Sequence, residues 1–347
     1  MGCGANFEDA IKTFFTAWNH IAAPRNLPTA HNNTHKVHFL LALCAVLFFG
    51  CAPVLADWAW NIKSENDLYN FGDHLGIKNY DRYYTAGEAF NLSDGVDTFG
   101  IENVMHTPDD IRSHNIQYGD CPCSGAMLVD YLRTVSLLPA SRSQVGVTVG
   151  WSGYYSMAES FQEFIHHNLG RGANPYCWNH QLGADVLFDF TAIHEQRLLR
   201  IADCGLRNIG VELWENSRAD VGDLYTRWQT GPELRMGWNL PDQTTQPMPL
   251  TLPLTECQPW RCYLTCGALF SDVGYDYYFQ GAPWRTDPNL TGVHVEHYVT
   301  DLIGGVHVQS PSGWGAAYLY DARSKEFQEQ GGWHGFGSIT VGKGWEF

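Results

Sequence analysis

Apolar and polar residues alternate in short runs over most of the chain after residue 56. Val145, Val147, Val149 and Trp151 fall on one face of a strand, with Gly146, Thr148, Gly150 and Ser152 on the other. The alternation breaks at Gly153 and gives way to a helical pattern from Ser156 to Gly170, with Phe161, Phe164, Ile165 and Leu169 on one face. Gln162 and His166 then share one flank, and Glu163 and His167 the other. Past Pro175 and Trp178 a second strand begins, with Leu182, Ala184, Val186, Phe188 and Phe190 on one face. A strand pair joined by a histidine-bearing excursion is a natural seat for chemistry.

The same period of two recurs elsewhere. Trp58, Trp60 and Ile62 alternate with Ala59, Asn61, Lys63 and Glu65, leading into Glu65-Asn66-Asp67-Leu68. Arg82 to Leu92 reads as a strand carrying Thr85 among Tyr83, Gly87, Ala89 and Asn91. A turn-rich stretch runs from Ser93 to Asp110, and another strand opens near Gly125. Further strands are expected at Leu224–Trp228, Leu234–Leu240, Cys262–Phe270, Gly292–Val299, Gly304–Val308 and Trp314–Tyr320. Each has the length of a tilted membrane-crossing strand or a little less. No segment after residue 56 holds 18 apolar residues, which excludes a helical membrane protein. At the C-terminus Ile339, Val341, Trp345 and Phe347 form a row interrupted only by Lys343, and the chain stops on the aromatic. Outer-membrane barrels place such a row against lipid.

Ahead of these strands, Phe39–Phe49 is an eleven-residue apolar run preceded by Lys36 and followed by Val54-Leu-Ala56. Basic flank, core length and small residues before a cut are the marks of a signal peptide. The expected organisation is a leader over residues 1–56, cleaved after about residue 56, and one β-domain over 57–347. With 21 Lys+Arg against 37 Asp+Glu, the net charge of −16 argues against nucleic acid as a partner. Thirteen Trp, 17 Tyr and 35 Gly fit an all-β, membrane-embedded chain. Three of ten cysteines lie in the leader; the other seven are odd in number, so at least one stays unpaired. Cys262 and Cys266 share a strand face with Leu264, Ala268 and Phe270, and no Cys/His spacing matches a structural zinc site.

Several segments, in order, resemble the outer-membrane lipid A 3-O-deacylase family of LpxR type. They are Glu65-Asn-Asp-Leu68, Asp81-Arg-Tyr-Tyr-Thr-Ala-Gly87, Thr107-Pro-Asp-Asp-Ile111, Asp120-Cys-Pro-Cys-Ser-Gly125, Gln162-x3-His166-x3-Gly170, Trp178-x2-Gln181-Leu182, Gly231-x3-Arg235-x-Gly-Trp-Asn-Leu-Pro241 and Arg323-Ser-Lys-Glu-Phe327. The resemblance implies an antiparallel transmembrane β-barrel of about 12 strands in the outer membrane, acting as a monomer. It further implies a calcium-dependent esterase that removes 3-O-linked acyl chains from the lipid A of lipopolysaccharide. The family's Asn-Asp pair falls on Asn66 and Asp67, its Thr on Thr85 and its catalytic His on His166. The chain departs from the family pattern at Cys121 and Cys123, and at Gly172, where an acidic residue can stand.

On this reading His166 is the base, because a neutral imidazole titrates near working pH. Asp67, with Asn66, serves a cation site or the oxyanion side, and Thr85 positions water or ester. Strict alternation sends Asn66 and Asp67 to opposite faces, so a shared site requires the strand to bulge or end there. The bland alternatives are a solvated surface histidine, an Asn-Asp turn and a threonine filling the barrel interior. A porin-like channel and a non-catalytic barrel are the competing functions.

Overall fold

Twelve strands, each hydrogen-bonded to its sequence neighbours, close into an antiparallel barrel when β1 pairs with β12. They are β1 (Trp58–Asn66), β2 (Tyr83–Ser93), β3 (Asp97–Thr107), β4 (Ser124–Leu138), β5 (Ser141–Ser152) and β6 (Val186–Ala202), followed by β7 (Ile209–Gly222), β8 (Tyr225–Trp238), β9 (Arg261–Asp276), β10 (Tyr298–Gln309), β11 (Trp314–Arg323) and β12 (His334–Trp345). This computed structural model describes residues 58–70, 82–138, 140–168, 174–202, 208–241 and 259–345. The leader and signal-peptide core expected over residues 1–56 lie outside the described residues, as do Gly170, Arg171 and Gly172.

The rows are inverted relative to a water-soluble barrel. Ile62, Phe90, Ile101, Phe190, Leu234, Met236, Leu264, Phe270, Leu302, Ile339 and Val341 face outward and are exposed. Inward positions are polar and buried, among them Lys63, Glu195, Glu212, Asp220, Glu233, Arg235 and Asp301. Outward aromatics stand at the barrel end that holds the start of β1: Trp60 meets Trp314 edge-on at 5.9 Å, and the Lys343 ammonium lies 5.6 Å from the Trp314 ring. Lys343, the one interruption in the C-terminal row, thus snorkels to the interface.

Many of the charges in the lumen are paired, which offsets the cost of burying them. Lys63 reaches Glu65 and Glu102, each at 3.1 Å. Arg142 meets Glu195 at 2.7 Å, Arg197 meets Glu212 at 3.0 Å, and Arg218 and Arg227 converge on Asp220 at 2.8 Å. Arg235, fully buried, holds Glu233 at 2.9 Å, and Thr265 donates to the same carboxylate at 2.6 Å. Side chains rather than an open channel fill this part of the barrel.

The loops β1–β2, β3–β4, β5–β6, β7–β8, β9–β10 and β11–β12 gather at the opposite end from the chain termini of the barrel. The β5–β6 loop carries helix α1 (Ala158–Asn168), and the β9–β10 loop carries the single turn α2 (Tyr277–Gln280). Tyr277, Tyr278 and Phe279 of α2 are buried in the mouth, where Tyr278 stacks on His106 at 4.2 Å. The Asp276 carboxylate caps α2 by accepting from the Tyr278 amide at 2.9 Å.

Several expected boundaries move. Leu224–Trp228 and Leu234–Leu240 belong largely to one strand, β8, which tolerates Pro232 because pairing to β9 lapses between Thr230 and Glu233. Leu182 is not in a strand: β6 begins at Val186, and Leu182 is buried in the loop core while its amide donates to the Cys123 carbonyl at 2.9 Å. Gly292–Val299 is mostly loop, with a lone bridge from Val295 to Phe327, because Gly292 turns the chain at φ +76° and β10 starts only at Tyr298. Helix α1 starts at Ala158, since Met157 at φ +62° separates it from the 3-10 turn Gly153–Ser156. Its buried contacts are Ala158 and Gln162, with Phe161 packed beside them, while Phe164 is 51% exposed. Cys262 and Cys266 have free thiols on the outward face of β9.

Candidate functional site

β1 ends at Asn66, and Asp67 opens a 3-10 turn, Asp67–Tyr69. The strand therefore stops between Asn66 and Asp67, as a site shared by the two requires. The Asn66 backbone pairs with Ala86 of β2 and Gly337 of β12. Directly beside Ala86 the β2–β3 register slips: Tyr84 pairs with His106 and Ala86 with Met105, leaving Thr85 as the extra residue of a β-bulge. Tyr83, at φ +62°, enters this irregularity from a left-handed conformation. The bulge removes Thr85 from the interior role that strict alternation would give it. The Thr85 hydroxyl meets the Thr107 hydroxyl at 2.6 Å, and Thr107 continues the outward row of Ile101, Asn103 and Met105.

The outward rows explain the rest of the site. From Ile62 the β1 row runs to Ser64 and Asn66; from Phe90 the β2 row runs to Glu88 and Ala86; from Ile101 the β3 row runs to Asn103 and Met105. Such positions face lipid farther down the wall, yet Asn66, Ala86, Asn103 and Met105 are buried. Over β2, β3 and β4 the cover comes from the β5–β6 loop. Ala86 and Met105 pack with Ala158 at the start of α1 and with Trp178 and Phe161. The Asn103 side-chain amide donates to the Ser156 carbonyl at 2.7 Å. A Cβ added at Gly125 on β4 would lie 2.4 Å from the Ala158 Cβ, so only glycine admits this close approach. Helix α1 thus lies against the outer wall of the barrel, not over its lumen. On the other side of Asn66 the 3-10 turn also folds outside: the Tyr69 and Ser64 hydroxyls meet at 3.1 Å, and Tyr318 donates to the Tyr69 carbonyl at 2.8 Å.

Asn66, Asp67 and Thr85 accordingly share one rim. His166 lies in the last turn of α1, partly buried, about 12 Å along the helix axis from the Ala158 anchor on the same wall. One turn earlier on the same flank, Gln162 is buried and accepts from the Trp178 indole at 2.7 Å, which fixes the helix face that carries His166.

Ser64, Glu88 and Asn103 escaped the sequence reading. The Ser64 hydroxyl donates to Glu88 at 2.7 Å, and the Asn103 side-chain oxygen is buried without a hydrogen-bond partner. Their signal was three polar residues in rows that start with Ile62, Phe90 and Ile101, a placement costly in lipid unless it serves a site.

For a hard cation the rim offers oxygen donors: the Asp67 carboxylate, the Asn66 amide oxygen and the Thr85 and Thr107 hydroxyls. Among the described residues no group of three or more His, Cys, Asp and Glu side chains is arranged to hold a metal. A calcium ion here would rely on one carboxylate and neutral oxygens, which fits its chemistry in donor type.

A closed barrel with an apolar outer belt and a polar site on its outer wall defines an integral outer-membrane protein. The chain belongs to the outer membrane protein LpxR family, which it matches over residues 39–345. Among solved structures it is similar to LpxR from Salmonella typhimurium, at 15% identity and TM-score 0.68, covering 82% of this chain and 99% of that one. It also aligns with the translocator domain of autotransporter NalP from Neisseria meningitidis, at 10% identity and TM-score 0.37, covering 90% of this chain and 96% of that one. No curated protein matches the sequence.

Proposed function

We propose that the protein is an esterase that hydrolyses 3-O-linked acyl chains from the lipid A of lipopolysaccharide. The observation that supports this reading is the seat of the His166 helix: its first turns pack on the outer wall against Ala86 and Met105, and Ala86 pairs with Asn66 and follows Thr85. A channel would place its working groups in the lumen, and that lumen is lined by buried, mutually paired charges.

In the reaction His166 accepts a proton from water as its oxygen adds to the ester carbonyl. The tetrahedral intermediate collapses with cleavage of the bond to the sugar 3-oxygen, and His166 returns the proton to that leaving oxygen. The products are a free fatty acid and a 3-hydroxyl. The Asn66 amide N–H groups suit the developing oxyanion, and Thr85 orients the water or the ester. Asp67 with Asn66 would hold a calcium ion, which when bound supplies Lewis-acid polarisation of the carbonyl.

The test is mass spectrometry of lipid A from cells expressing the chain, with calcium and with chelator. His166→Ala is expected to abolish loss of the 3-O acyl chain while leaving the heat-modifiable mobility of the barrel unchanged. Continued deacylation by that variant would put the base elsewhere.

A further inference from the structure

Three cysteines in the loops beside the site are buried with free thiols: Cys121, Cys123 and Cys177. Cys121 packs among Tyr83, Phe279 and Phe327, and its thiol donates to the Pro122 carbonyl at 3.3 Å. Cys123 and Cys177 belong to a different cluster, the one that anchors α1 with Ala86, Met105, Ala158 and Trp178. Both side chains are buried within that single cluster. Backbone bonds bracket the pair: the Cys177 amide donates to the Ile111 carbonyl at 3.1 Å, and the Leu182 amide donates to the Cys123 carbonyl at 2.9 Å. The β3–β4 and β5–β6 loops are therefore laced together on both sides of the two sulfurs. A disulfide requires Cα atoms within about 7 Å and side chains that face each other, and these two side chains are buried in one cluster on loop segments that the two backbone bonds hold together. An outer-membrane protein reaches its destination through the periplasm, where disulfides form and persist.

We propose that Cys123 and Cys177 are joined by a disulfide that locks the helix-bearing β5–β6 loop to the β3–β4 loop on the outer wall. The bond forms by exchange with a disulfide-bearing oxidant of the periplasm. The thiolate of one cysteine attacks a sulfur of the oxidant and expels one thiolate; the thiolate of the other attacks the resulting mixed disulfide and expels the second. Two protons are released and two electrons pass to the oxidant. Burial pushes the Cys123 thiol well above its ordinary range, so the exchange belongs to the stage before α1 docks and closes the cluster. The cross-link stands independently of the esterase reading, because its readout is covalent.

The experiment uses the full-length protein isolated from outer membranes without reductant, denatured in the presence of an alkylating agent, digested and mapped by mass spectrometry. The expected product is a peptide pair linked through Cys123 and Cys177, with Cys121, Cys262 and Cys266 alkylated. Alkylation of both Cys123 and Cys177, or a link from either one to Cys121, overturns the proposal. A second measurement follows limited proteolysis between Gly153 and Asp185. Reduction of the wild type, or Cys177→Ser, is expected to speed cleavage there several-fold with unchanged heat-modifiable mobility, whereas Cys121→Ser is not. Equal cleavage of oxidised and reduced wild type would show that no lock exists.

Discussion

Gly125→Ala isolates the placement of the His166 helix from the chemistry of the site. The added methyl would sit 2.4 Å from the Ala158 Cβ, 3.0 Å from the Ser156 hydroxyl and 3.5 Å from the Trp178 ring, where ordinary contact begins near 3.4 Å. Wall and helix must therefore separate by about 1 Å, and overpacking of this kind costs about 1–3 kcal/mol. The strain falls on the loop packing, because Gly125 keeps its place opposite Met105 in the β3–β4 ladder. A misplacement of about 1 Å in a reacting group costs about a hundredfold in rate. We expect lipid A deacylation, followed by mass spectrometry in mixed micelles, to fall by about that factor, with heat-modifiable mobility as in the wild type. Gly304→Ala is the control, since its nearest neighbour is 4.0 Å away, and it should leave both readouts unchanged. Full activity in Gly125→Ala would refute the claim that docking of α1 on the outer wall sets the reaction geometry.

Arg235→Leu strands the Glu233 carboxylate in the lumen and should lower stability by about 3–5 kcal/mol, read as a shift of the unfolding midpoint in lipid vesicles. Leu302→Arg, on the outward row in the middle of β10, should cost about 2–4 kcal/mol in the same assay, and a negligible cost would mean the row does not face lipid. In planar bilayers the purified protein should show no stepwise conductance of porin size, because buried paired side chains such as Arg235 and Glu233 fill its interior; such steps would favour the channel reading.

Much of the barrel was legible because alternation survives wherever one strand face meets lipid and the other a polar interior, as in Val145–Ser152 and Leu234–Trp238. What alternation cannot say is which face is outside. Ser64, Glu88 and Asn103 read as ordinary polar positions until the neighbouring Ile62, Phe90 and Ile101 are seen to be exposed. The Thr85 bulge is likewise silent in sequence, since one residue of slippage arises from pairing between strands rather than from composition. Gly292–Val299 misled because its apolar residues serve a loop packed on Phe327. Helix α1 was found from its 3.6 period, but its buried side is set by Trp178 and the wall, so Phe164 took the wrong role. The match of Asn66, Asp67, Thr85 and His166 to family positions came from resemblance, and no local pattern separates His166 from His167.

Because α1 rests on the membrane-facing side of the cylinder, the proposed site lies on the flank that meets the leaflet and not on the lumen. On the proposed reading a lipid substrate would reach it without leaving the bilayer or threading the lumen, and encounter would be a two-dimensional search governed by lipid density per unit area. The interior is then released from any duty of transport, and its crowded charges can serve rigidity alone.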